Sequence, residues 1–100
     1  MNDSNITAAK SIIGDKVRNT EGADLGSIKE LLIDPTSGKI EYGVLSYGGL
    51  LGIGDKDIAV PYEALILSRE QDYFILNVDK EVLNSTNSKI EYDGKSYYIY

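Results

Sequence analysis

The chain has 100 residues, of which 42% are hydrophobic, and this predicts one small folded domain with a single core. Its formal net charge of −6 makes nucleic acid and anionic lipid poor partners, because both carry negative charge. No apolar run is long enough to cross a membrane and residues 1–5 do not resemble a signal peptide, so we predict a cytoplasmic protein without membrane insertion.

The start of the chain predicts a loose arm followed by two strands. Residues 1–10 are polar and show no period, which is typical of an unstructured terminus, and the folded domain is expected over residues 11–84. A short strand is predicted over residues 16–19 and a longer one over residues 25–34, where Gly26 would allow a bend or a bulge. A helix over residues 25–34 is also possible, but the turn residues on both sides favour a strand.

A strong turn signal then predicts a hairpin. In residues 34–38 a proline fixes φ and Gly38 can adopt a positive φ. Residues 39–47 have the pattern of the returning strand. Strict alternation of side chains puts Ile28 and Leu31 on opposite faces of the preceding strand.

A glycine-rich stretch covers residues 47–56, and glycines this dense indicate positive φ or a close approach of backbone segments. One interpretation is a demanding connection whose apolar side chains cap the open end of a barrel, and another is an exposed apolar contact patch. A phosphate cradle is disfavoured, because the glycine order is opposite to the dinucleotide fingerprint and no helix follows. The residues concerned are Gly48, Gly49, Gly52, Gly54, Leu50, Leu51 and Ile53.

The next part of the chain predicts short elements. A buried strand over residues 57–60 should end at Pro61, because proline has no N–H to donate to the ladder. Asp79 is in the N-cap position of a short helix. The other predicted elements are a helical turn at 62–64, strands at 65–68 and 73–78, and the helix itself at 80–84.

Residues 85–100 predict a C-terminal hairpin packed on the barrel, built on a type I′ turn at Asp93 and Gly94. The hairpin is rich in tyrosine, which favours strands and interfaces. One interpretation is that it only seals the edge of the sheet. The other is that Tyr98 and Tyr100 form a dimer or partner surface.

The sequence offers little for catalysis. It contains no His and no Cys, which removes the commonest general base, the thiol nucleophile and the commonest transition-metal ligands. Asp55 and Asp57, with Glu63, could bind a hard cation such as calcium, but solvated turn charges with Lys56 pairing locally are the favoured interpretation. We therefore predict no metal site, no cofactor and no enzymatic activity.

An ordered set of turn and strand motifs resembles the stand-alone PRC-barrel family. That domain also ends the H subunit of photosynthetic reaction centres and a ribosome maturation factor. The resemblance implies an all-β fold, a small, strongly bent antiparallel barrel of six strands with one short helix, to which this chain adds its C-terminal hairpin as a departure from the family. The resemblance is collinear from about residue 12 to residue 83, in segments 13–17, 21–30, 34–40, 48–56, 59–65 and 76–81.

Family resemblance implies a role as an adaptor or assembly domain. We therefore predict a non-enzymatic protein-interaction module that forms a homodimer and binds a protein partner whose identity the sequence does not give. The alternative is a regulatory domain that binds a small ligand or a divalent cation through the glycine-rich stretch with Asp55 and Asp57. The predicted contact residues are Leu50, Leu51, Ile53, Tyr98 and Tyr100, and the predicted structural residues are Gly48, Gly49, Gly52, Gly54 and Pro61.

Overall fold

A computed structural model describes residues 6–50, 53–68 and 70–100, without the side chains of residues 49–50 and 53–55. Strands dominate it, as the sequence predicts. The helical elements are α1 (Ala9–Ile12), a 3₁₀ turn (Tyr62–Ala64) and α2 (Lys80–Asn84). The strands are β1 (Lys16–Arg18), β2 (Asp24–Asp34), β3 (Lys39–Leu50), β4 (Ile53–Pro61), β5 (Ile66–Ser68), β6 (Tyr73–Ile75), β7 (Lys89–Tyr92) and β8 (Lys95–Ile99).

All the described strands join one sheet in the order β5-β6-β1-β2-β3-β4-β8-β7. The sheet has eight strands where the sequence predicts a barrel of six, because the C-terminal hairpin extends the same sheet beyond β4. It is not purely antiparallel, since β1 pairs with β6 and β4 with β8 in parallel. Within the described residues no ladder joins β5 to β7, so the sheet is open.

Three register shifts interrupt the two ladders of β2. Val17 and Arg18 of β1 pair with Gly26 and Asp24, and the pairing of β2 with β3 shifts after Ile28 and again after Leu32. Each extra residue reverses the alternation of side chains that follows it. The prediction that Ile28 and Leu31 face opposite ways is therefore wrong, because both pack against the main core.

The bulge at Gly26 explains why this position needs glycine. Its φ is +131°, and a Cβ atom here would overlap the carbonyl oxygen of Ser46 on β3. Only a residue without a side chain lets the two backbones come this close.

The glycine-rich stretch is mostly strand and not a loop. β3 continues to Leu50 and β4 begins at Ile53, and the two strands pair along this extension, with Gly48 opposite Asp55. The stretch therefore extends a long hairpin, and the residues between the paired ends, 51 and 52, lie outside the described residues.

Apolar side chains pack on both faces of the sheet. The main core includes Leu45 and Ile58 from the central strands, and α2 covers it with Leu83. A second cluster on the opposite face joins Val44 and Ala59 to Tyr97 of the C-terminal hairpin. Burial on both faces explains why β3 and β4 have apolar residues at consecutive positions.

Local turn chemistry predicts the connections well. Gly22 and Gly38 have φ values of +85° and +77°, and Asp93 and Gly94 have +53° and +79°, which fits a type I′ turn. β4 ends at Pro61, as expected. The 3₁₀ turn and α2 lie where the sequence puts them, and Asp79 is the N-cap of α2 but makes no side-chain capping bond.

The N-terminal part of the described chain differs from the prediction of a loose arm. Helix α1 begins at Ala9, before the predicted domain start at residue 11, and its Ile12 is buried in the main core. None of the helices in the described ranges is long and apolar enough to cross a membrane.

Candidate functional site

The C-terminal hairpin is attached to the sheet by polar contacts with β2 and β3. The Tyr97 hydroxyl donates a hydrogen bond to Oε2 of Glu30 at 3.1 Å, and the Lys95 ammonium lies 3.8 Å from Oε1 of the same carboxylate. The rings of Tyr42 and Tyr92 have their centroids 5.7 Å apart. β4 is the neighbour of the hairpin in the sheet, but these contacts reach past it to β3 and β2. The hairpin therefore leans across the face of the sheet towards β2.

The space between the hairpin and the ends of β2 and β3 is an open groove of about 650 Å³, which we call the hairpin groove. Its apolar and aromatic lining includes Leu31, Leu32, Ile33, Tyr42, Tyr92 and Tyr97. Its charged lining consists of four carboxylates, on Glu30, Asp34, Glu41 and Asp93, and the single ammonium of Lys95. The lining therefore has a net charge of −3.

The two tyrosines that the C-terminal hairpin contributes to the groove, Tyr92 and Tyr97, keep their hydroxyl protons at neutral pH. Burial, and then the hydrogen bond to Glu30, raise the pKa of Tyr97 above its ordinary value of 10.0. Hydrogen bonding to Tyr42, and then desolvation, raise the pKa of Tyr92. Both therefore offer neutral hydroxyl groups to the groove as hydrogen-bond donors and acceptors.

The predicted contact residues of the hairpin lie apart from this groove. The ring of Tyr98 is half-buried against the main core, and the ammonium groups of Lys56 and Lys89 each lie 4.8 Å from its centroid. Tyr98 is therefore used inside the monomer. Tyr100 is 39% exposed at the C-terminus.

The other predicted contact residues lie at the tip of the β3–β4 hairpin. The side chains of Leu50 and Ile53 are not described, and Leu51 is outside the described residues, as is Gly52. A contact surface at this tip stays a prediction.

The first glycine of the glycine-rich stretch has a left-handed backbone conformation. The backbone of Gly48 has a φ of +78°, in the left-handed region that favours glycine. Gly49 lies in β3 and Gly54 in β4, and their predicted structural roles stay predictions.

The alternative of a cation site at Asp55 and Asp57 has no assembled set of ligands in the described part of the chain. The Asp57 carboxylate lies 2.9 Å from the Lys29 ammonium, which already neutralises it. The side chain of Asp55 is not described. Among the described residues no three acidic or other potential ligands come together.

The described contacts of the Lys56 ammonium are with the end of α2 and not with Asp57, whose carboxylate pairs with Lys29. The expected local pairing of Lys56 with a carboxylate is therefore not seen among the described side chains. The Lys56 ammonium donates to the backbone carbonyl oxygens of Asn84 and Thr86, both at 2.9 Å, and of Leu83 at 3.3 Å. Tyr47 adds a second link to the same helix, because its hydroxyl donates to Oδ1 of Asn84 at 2.6 Å. Together these contacts attach the C-terminal end of α2 to the sheet.

Sequence reasoning missed both the hairpin groove and the anchoring of α2. The contacts of Tyr97 and Lys56 join residues 67 and 27–30 positions apart, so no local pattern reports them. The signal that could have pointed to the groove is the cluster of tyrosines in the predicted C-terminal hairpin, which suits a partly exposed aromatic wall.

Comparison with known proteins gives one result that bears on identity. No curated protein matches the chain at a significant level. The sequence profile of the PRC-barrel domain matches residues 5–83, which cover all six strands from β1 to β6 and most of α2. Because this match spans well over half of the chain, and because the described fold is built mainly of strands, the protein belongs to the PRC-barrel domain family.

Proposed function

We propose that this PRC-barrel protein is a non-catalytic protein-interaction module that binds its partner through the hairpin groove. The observation that carries the proposal is the lining of that groove, where an apolar and aromatic floor lies beside charged groups. Protein interfaces have this composition, with aromatic residues in a water-excluding centre and polar residues at the rim.

The exposure of single residues supports the same surface. Ile33 is 51% exposed and Tyr92 is 36% exposed, and both line the groove. Apolar groups that stay in contact with water in the free protein release that water when a partner covers them, which favours binding. The groove is open, and therefore suits a protein segment better than a small molecule that needs enclosure.

A pull-down from extract of the native cells tests this function directly. We expect one stoichiometric protein partner with the wild-type chain, and loss of that partner with Ile33→Arg, which places a large charged side chain in the groove. Ile66→Arg is the matched control, because Ile66 is also an exposed isoleucine on a strand but lies on β5 at the opposite end of the sheet. Recovery of no protein, or equal recovery with Ile33→Arg, would argue against the groove.

We further propose, from the sequence, that the protein forms a homodimer through its C-terminal residues. Tyr100 is the better residue for the test, because Tyr98 contributes to the packing of the monomer. Tyr100→Lys should convert the dimer to a monomer in light scattering while leaving the melting temperature close to that of the wild type. A dimer of unchanged stability in this variant would move the interface elsewhere.

A further inference from the structure

We infer that the hairpin groove binds an extended partner segment that carries both basic and apolar side chains, an inference that rests on the interaction function proposed above. Two properties of the groove lead to it, its charge and its aromatic lining. The charge disfavours acidic segments, and the aromatic lining disfavours segments made of polar residues alone.

The charge of the groove favours a basic partner. The lining has four carboxylates and one ammonium, so it holds a net −3 out of the −6 of the whole chain. The Lys95 ammonium is already shared with Glu30. The carboxylates of Asp34, Glu41 and Asp93 belong to exposed residues. Glu41 already has the Lys39 ammonium 3.7 Å away, but this pair is exposed to solvent and weak, so a cation from outside can compete for it. An acidic segment would meet like charge here, which lowers its affinity.

The apolar and aromatic lining of the groove also favours a partner segment that has apolar side chains. A segment of polar residues alone would leave Leu32 and the rest of the apolar lining in contact with water and would gain little from burial. A basic side chain can use the tyrosine faces as well, because a cation over an aromatic ring is attracted by the ring's electrons. This chain already makes such pairs, with Lys56 over Tyr98 and Arg18 over Tyr73.

One wall of the groove lies outside the part of the chain that the family profile matches. Tyr92, Asp93, Lys95 and Tyr97 all follow residue 83, where the match ends. The acidic aromatic groove therefore depends on the C-terminal hairpin of this chain. Its preference for a basic segment would be a property of this protein and not of the PRC-barrel domain in general.

The test uses the full chain and synthetic peptides of about ten residues in an extended pattern, since each extended residue advances roughly 3.3 Å. The first peptide alternates lysine with leucine, the second replaces every lysine by glutamate, and the third replaces every leucine by serine. Binding is measured by fluorescence anisotropy, and the site is mapped by NMR shifts of the backbone amides.

Two charge variants locate the effect. The groove variant combines Asp34→Asn, Glu41→Gln and Asp93→Asn and so removes three charges. Asparagine at position 34 keeps an acceptor oxygen for the turn, and asparagine at position 93 tolerates the positive φ there. The control variant has the same net charge and changes exposed carboxylates away from the groove, with Glu21→Gln, Glu70→Gln and Asp79→Asn.

We expect the lysine–leucine peptide to bind with shifts at groove residues, and the groove variant to weaken it roughly ten-fold, since each exposed charge contributes modestly. The control variant should bind within about two-fold of the wild type, because screening limits distant charges. Equal binding of the glutamate peptide, equal binding by the two variants, or shifts outside the groove would each overturn the inference. If the native partner is lost with Ile33→Arg but no basic peptide binds, the interaction function stands and the partner class is wrong.

Discussion

Replacing Lys56 by methionine should strongly destabilise the fold, although lysine is usually a dispensable surface residue. The Lys56 ammonium donates to three carbonyl groups at and just after the end of α2 and lies over the ring of Tyr98. Methionine keeps most of the apolar stem, so that the packing of the stem is retained and the loss of the ammonium is isolated.

The size of the effect follows from what the ammonium contributes. Hydrogen bonds that involve a charged donor contribute about 1.5–3 kcal/mol. A cation at a helix C-terminus adds about 0.3–1 kcal/mol, and a cation over an exposed aromatic ring adds about 0.5–1 kcal/mol. These contributions overlap, since one ammonium makes all the contacts and water can replace some of them. We therefore expect a loss of about 2–3 kcal/mol in the free energy of unfolding.

The measurement is a thermal melt, supported by urea denaturation. In a domain of this size each kcal/mol shifts the melting temperature by roughly 4–8 °C, so Lys56→Met should melt roughly 10–20 °C below the wild type. Lys39→Met is the matched control, because Lys39 also lies in the β3–β4 hairpin. Its side chain faces solvent, with its ammonium 3.7 Å from Glu41. We expect that control to change stability by less than about 0.5 kcal/mol. Equal melting temperatures for the two variants would refute the anchoring of α2 by Lys56.

Two further predictions concern the backbone and the pH dependence. Gly26→Ala should lower the free energy of unfolding, measured by urea denaturation, by more than about 3 kcal/mol. Gly38 also has a positive φ but open space around it, so Gly38→Ala should lower it by about 1–2 kcal/mol. Similar losses in the two variants would show that no close approach exists at Gly26. Desolvation, and then repulsion from Asp72, raise the pKa of Asp15 above its ordinary value of 3.8. The folded state therefore binds the proton of the Asp15 carboxyl more tightly than the unfolded state does, and the stability of the fold falls as pH rises through the raised pKa. Asp15→Asn should therefore melt above the wild type at neutral pH, with the difference disappearing below about pH 3, and a constant difference across the pH range would contradict this.

Those parts of the fold that depend on a few neighbouring residues could be predicted from the sequence. The turn at Gly38 and the type I′ turn at Asp93 have strong local signals, since only certain residues tolerate their φ values. The short helix after Asp79 has such a signal as well. The family resemblance adds the order of these elements.

The missed features have their cause in residues that are distant in sequence. The side-chain directions along β2 are set by register shifts against β1 and β3, and a shift is a property of two strands. The extension of β3 through Gly48 is similar, because the pairing with β4 overrides the weak strand preference of glycine. The attachment of Lys56 to α2 depends on where the chain returns after nearly thirty residues.

The second cluster, in which Tyr97 packs on the central strands, contributes both to the stability of the fold and to one wall of the groove. Tyr97 is only 3% exposed and packs on Val44 and Ala59, while its hydroxyl bonds Glu30 at the groove. Deleting the hairpin would therefore expose apolar groups of the central strands, and loss of binding would then report loss of structure. Changes at exposed lining residues such as Ile33 avoid this, because they alter what a partner meets and leave the buried contacts of Tyr97 in place. The function of the groove is thus best tested at its rim, and the stability of the domain at Lys56.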